Sequence, residues 1–127
     1  MSFRHIRFIK GFTLIELLVV VALIGVLSAV GIIAYTGFID STKKSRAEST
    51  MQSIYLAQQE YNSNNGSYYL STSTRNIVNE LFDGVDDLSE QDYTFTITSS
   101  SGGFCIRATE SGATTLYLNH KKKKTNC

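Results

Sequence analysis

Glu16 stands at a place that disfavours a charge. From residue 17 to residue 39 the chain has 23 positions without a charged side chain, and only Ser28 and Thr36 among them are conventionally polar. Glu16 opens that run. A carboxylate inside a membrane-spanning segment costs about 3 kcal/mol on insertion scales. In a medium of low dielectric an unpaired charge gains from any partner of opposite sign. Neither an ordinary membrane anchor nor a conventional secretory signal requires such a residue. A secretory signal would want a small-x-small cleavage site behind an apolar stretch of about 7–15 residues. The run here is longer, and Ser28-Ala29-Val30 fits that site poorly. Snorkelling toward water is the remaining reading of Glu16, and it is usual near helix ends.

Other side chains offer different chemistry. Lys121, Lys122, Lys123 and Lys124 are consecutive. Ammonium groups in a row can neutralise the phosphates of DNA or of another polyanion without reading sequence. The plainer reading is a solvated terminal loop, because charge runs are usually solvated. Cys105 and Cys127 both follow an export-type segment. An even pair in that setting reads as a disulfide, the alternative being two free thiols. Asp83-Gly84-Val85-Asp86-Asp87 clusters oxygen ligands of the kind calcium takes, but without the spacing of an EF-hand loop, so an exposed acidic loop is the simpler account. His5 lies in the basic leader and His120 stands alone beside the lysines. No nucleophile–base pair, phosphate-cradling glycine loop or zinc spacing is visible. The expectation is a protein without catalytic residues, metal or cofactor.

The elements that would carry these groups follow from periodicity. Residues 1–11, MSFRHIRFIKG, form a short basic leader. The uncharged stretch after Glu16 makes a helix of about 34 Å, enough to cross a hydrocarbon core of about 30 Å. Its many valines and isoleucines are β-branched, yet an apolar run of this length reads as a membrane helix, not a strand. Arg4, Arg7 and Lys10 should stay cytoplasmic, so the rest of the chain should be translocated. Beyond Asp40, Ala47, Met51, Ile54 and Tyr61 recur on one helical face. No proline intervenes, so one helix over about residues 12–63 is expected, stopped by Asn64-Asn65-Gly66. Residues 67–92 read as a polar connector with a short helical piece near Asn76–Phe82. Tyr93 to Thr98 alternates as a half-buried strand. Strands over Phe104–Thr109 and Thr114–Asn119 follow after tight turns, giving an antiparallel meander. The face carrying Phe95, Ile97, Leu116 and Leu118 then needs the Ala47–Tyr61 helix face as its partner. The fold class expected is α+β.

Charge and size agree with one small exported domain. The chain has 127 residues and 43% hydrophobic content, much of it before Asp40. That leaves a thin core for the remainder. The formal charge is +1, but without residues 1–11 nine basic residues face eleven acidic ones. Glu80, Asp83, Asp86, Asp87, Glu90 and Asp92 follow one another with no base between them. The surface is bipolar, not a uniform attractor for nucleic acid.

GFTLIELLVVVALIGVLSA, residues 11–29, resembles the N-terminus of type IV prepilins and pseudopilins nearly residue for residue. LAQQEYNSNNGSYY, residues 56–69, is similar to the place where the long helix of many pilins ends. The resemblance implies a leader of residues 1–11, a helix of residues 12–39 in membrane or filament core, and a head of residues 40–127. It implies cleavage between Gly11 and Phe12, N-methylation of Phe12, and pairing of Glu16 with the Phe12 amine of a neighbouring subunit. Glycine at the cut suits a peptidase that needs a close, extended backbone. By the same likeness Cys105–Cys127 would bound the C-terminal region, a loop closure of about 3 kcal/mol in the chain-entropy picture. The sequence departs from the pattern at Ile33, where many pilins have proline; Gly31 and Gly37 stand nearby.

The implied partners are other pilin subunits, a prepilin peptidase and an inner-membrane assembly platform. The implied location is the bacterial inner membrane, then an extracellular filament. Three functions fit: a major or minor pilus subunit for adhesion, motility or DNA uptake; a DNA-binding minor pilin of competence using Lys121–Lys124; and a pseudopilin of a type II secretion system. A patch meeting the acidic stretch of a neighbouring subunit is a further use of the lysines.

Overall fold

The computed structural model of the chain describes residues 11–85, 88 and 92–127. Arg4, His5, Arg7 and Lys10 of the leader lie outside the described residues, as do Asp86, Asp87 and Glu90, and so most of the calcium reading. Helix α1 spans Leu14–Asn65 and helix α2 spans Thr74–Leu81. Strands β1 (Thr94–Ser100), β2 (Gly103–Thr109) and β3 (Leu116–Asn119) form one antiparallel sheet in the order β1-β2-β3. The chain divides into two compact units, Met1–Ile39 and Asp40–Cys127.

In the first unit the described residues are helical from Leu14 onward and apolar on every side. Leu17, Leu18, Leu27, Val30 and Ile33 are all exposed, and the helix is long and apolar enough to cross a membrane. Ser28 and Thr36 satisfy their hydroxyls within the helix: Ser28 Oγ donates to the Ile24 carbonyl at 2.7 Å and Thr36 Oγ1 to the Ile33 carbonyl at 3.0 Å. A hydrocarbon surrounding offers no other acceptor, so this back-bonding is what a spanning helix needs. The helix runs unbroken past Gly31, Ile33 and Gly37, because no proline removes a backbone donor there.

In the second unit α1 becomes one-sided. Ala47, Thr50, Met51, Ile54 and Gln58 are buried. Ala47, Met51 and Ile54 pack with Phe95 and Ile97 of β1, Phe104, Ile106 and Ala108 of β2, and Leu118 of β3. This is the helix-on-sheet core expected from the periodicities, and Leu116 joins it as a half-buried neighbour. Ile77 and Val78 of α2 close one side. Thr74 ties α2 to the sheet: its hydroxyl donates to the Phe95 carbonyl at 3.2 Å and accepts from the Phe95 N–H at 3.0 Å. Ser71 forms a further bridge to Ile97.

Element ends shift by a few residues for local reasons. α1 starts at Leu14, because Thr13 caps it, and stops where Gly66 takes φ +72° and donates to the Asn62 carbonyl at 2.8 Å. β1 begins one residue after Tyr93 and continues to Ser100. β3 is confined to Leu116–Asn119.

Candidate functional site

The four consecutive lysines leave β3 in a turn built around Asn119. Its side-chain oxygen accepts from the Lys121 N–H at 3.0 Å and the Lys123 N–H at 2.9 Å. Its own N–H donates to the Lys123 carbonyl at 3.1 Å, and its carbonyl accepts from Lys122 at 2.9 Å. Lys122 takes φ +58° inside this turn. The next residue back, His120, is held between strand and helix: its N–H donates to the Phe104 carbonyl at 3.0 Å and its carbonyl accepts from the Tyr55 hydroxyl at 3.2 Å. The His120 ring lies so close over Gly103 that a Cβ there would sit 2.4 Å from the ring carbon Cγ. Glycine at 103 is therefore a packing requirement of the loop.

Beyond the turn the chain returns to the sheet. Cys127 is joined to Cys105 by a disulfide, with the Cα atoms 6.1 Å apart. Adjacent strand residues point to opposite faces. Cys105 therefore leaves the core face held by Phe104 and Ile106, yet it is only 3% exposed. This accounts for the break in the burial alternation of β2.

The lysines do not behave as one group. The Lys122 ammonium lies 5.1 Å from the centre of the Tyr55 ring, a cation–π distance. The Lys124 ammonium meets the Glu48 carboxylate at 2.6 Å. Both are turned back on α1. Lys121 and Lys123 are exposed, and no side-chain partner is found for them among the described residues. A second ion-pair node sits elsewhere in the head, where Lys43 reaches Asp92 at 3.1 Å and Glu110 at 3.3 Å. Those two hydrogen bonds, to Asp92 first, raise the Lys43 pKa above the usual lysine range. Burial, followed by the Glu110 charge, raises that of Tyr93.

At the other end of the chain, Gly11, Phe12 and Thr13 are exposed and precede the helix. The peptide bond between Gly11 and Phe12 is thus free of helical hydrogen bonding. A Cβ at Gly11 would meet nothing within 4 Å, so nothing in the described chain demands glycine there. One Glu16 carboxylate oxygen accepts from the Thr13 N–H and from the Thr13 hydroxyl, both at 2.9 Å, while the hydroxyl accepts from the Glu16 N–H at 3.3 Å. This reciprocal arrangement is a capping box.

The family model described as "Type IV minor pilin ComP, DNA uptake sequence receptor" matches residues 34–127. The chain belongs to this family of type IV minor pilins. A model of the prokaryotic N-terminal methylation motif matches residues 6–32. The search of curated proteins and the search of solved structures each found no match. As a minor pilin the chain is made as a membrane-anchored precursor and assembled into an extracellular pilus.

Several residues of the minor pilin escaped the sequence reading. Thr13 was visible in principle, since T-x-x-E before an apolar run is a capping-box signature. Asn119 had a local signal too, an Asx residue beside a charge run. Glu48 and Tyr55 had none, because their contacts with Lys124 and His120 cross 76 and 65 residues of sequence.

Proposed function

We propose that this minor pilin is a DNA receptor on a type IV pilus, holding duplex DNA by its lysine loop during uptake. The observation that carries the reading is the loop itself. A disulfide and an Asn119-centred turn fix four consecutive ammonium-bearing residues on the head. An ordered cation patch binds phosphate with less ordering cost than a free tail. The family's printed name supports DNA as the ligand. Lys121 and Lys123, without side-chain partners among the described residues, are assigned the direct phosphate contacts. Lys122 and Lys124 are turned back on the Tyr55 ring and the Glu48 carboxylate and are assigned no phosphate contact in the native head. The proposed role is structural and binding, with no reaction attributed to the head.

Full-length protein in detergent micelles, titrated with a labelled duplex across a range of salt concentrations, tests this. Lys121→Ala with Lys123→Ala should flatten the log–log salt slope by about 2, close to one unit per lost phosphate contact. Binding that survives replacement of all four lysines, with its salt slope intact, would overturn the reading.

Maturation is assigned to the N-terminal segment. We take the cut to fall between Gly11 and Phe12, with methylation of the Phe12 amine. Glu16 is assigned the role of meeting that amine on a neighbouring subunit. The methylation-motif match over residues 6–32 supports this, and the exposed, non-helical Gly11–Phe12 bond is compatible with it.

A further inference from the structure

We propose that Glu48 sets the DNA specificity of this head by masking Lys124, so that DNA touching only through its backbone binds weakly. The inference rests on the DNA reading above. A cavity of about 230 Å³ lies between α1 and β3, and its charged lining is Lys44, Glu48 and Lys124. Among the described residues Glu48 is the one anion of that lining, and its carboxylate takes the Lys124 ammonium at 2.6 Å. Lys44 and Gln52 stand four residues either side of it, on the same helical face.

The ion pair is not needed to build the loop. The disulfide, the Asn119 turn and the Tyr55–His120 hydrogen bond already fix it. Lys124 has a side chain 60% exposed, and pairs this open to water add little to stability. A carboxylate among phosphate-binding cations has a different effect. A phosphate approaching Lys124 must displace Glu48 and then lie beside its negative charge. A base edge presenting an exocyclic amine, adenine N6 or cytosine N4 in the major groove, gives the carboxylate a donor and releases Lys124 at once. Glu48 therefore penalises backbone-only contact more than contact that includes a base amine, which is discrimination through repulsion.

The test is fluorescence anisotropy of the full chain in detergent micelles with a short duplex of arbitrary sequence. Glu48→Gln should tighten binding about 3- to 10-fold and steepen the salt slope by about 1, as one more phosphate contact forms. Lys124→Gln alone should change little, because that ammonium is already occupied, and in the Glu48→Gln background it should cancel the gain. Lys124→Gln breaks the same ion pair, so it also controls for loosening of the loop. The preference among duplexes of differing sequence should narrow in Glu48→Gln. Unchanged or weaker binding by Glu48→Gln, a gain that persists without Lys124, or an unaltered preference would overturn the role of Glu48. If Lys121→Ala with Lys123→Ala weakens binding and flattens the salt slope while Glu48→Gln has no effect, the masking role alone fails. If neither changes binding, the DNA reading falls with it.

Discussion

Gln58 is a polar side chain with no solvent exposure, and both of its ends serve one residue. Its amide nitrogen donates to the Tyr69 carbonyl, and its oxygen accepts from the Tyr69 N–H at 2.9 Å. The connector leaving α1 thus finds on the helix the hydrogen bonds a strand partner would otherwise supply. Gln58→Leu keeps the size and removes both bonds, leaving a backbone donor and acceptor unmet. Each such group costs about 1–3 kcal/mol. The expected outcome is a loss of about 2–4 kcal/mol, hence a melting temperature lower by roughly 10 °C or more for a head of this size. A thermal scan of Gln58→Leu within a degree or two of the parent would show that the Tyr69 backbone finds other partners.

At the scale of elements, the Lys43 node joins α1, the start of the sheet and the segment after β2. Lys43 bonds Asp92 and Glu110, and Tyr93 is buried next to the Glu110 charge. The folded-state pKa of both Lys43 and Tyr93 is raised. Each holds its proton more tightly folded than unfolded. Their contribution is therefore complete below the ordinary values of about 10, and is lost as pH climbs from there through the raised ones. The urea midpoint should be flat near neutrality and fall as pH rises above about 10. Tyr93→Phe, which cannot ionise, should show a smaller fall there. An identical fall in both proteins would clear Tyr93 of any part in the alkaline loss.

At the scale of the molecule, the two units meet different surroundings. The described part of the first has its large apolar side chains exposed, which suits lipid and then the apolar helices of a filament. The second holds the described hydrophobic core. The role proposed for Glu16 is in assembly. In the single chain its carboxylate is already bonded by Thr13, so a neighbour's amine would have to compete with a local cap. Glu16→Val should leave processing and membrane insertion intact while sharply lowering the share of subunit recovered in sheared pili. Thr13→Val removes the cap but keeps the charge, and should assemble nearly as the parent does. Normal recovery of Glu16→Val in pili would remove the pairing role.

The α+β class, the long helix and the three-strand meander were readable without coordinates, because each rests on a local signal. The 23 uncharged positions demand a membrane helix, Ala47, Met51 and Ile54 mark one helical face, and Tyr93, Phe95 and Ile97 alternate with threonines. The disulfide followed from counting cysteines in an exported chain, and the structure forms it. Which lysine does what was not readable. The run looks uniform in one dimension, and only the approach of α1 to the end of β3 gives Lys124 a carboxylate and Lys122 a ring. Gly103 reads as a turn residue until His120 is seen lying over it. Patterns of local period survive in the sequence because neighbouring residues enforce them. Contacts across 65 or 76 residues leave no period behind, since packing alone brings those side chains together.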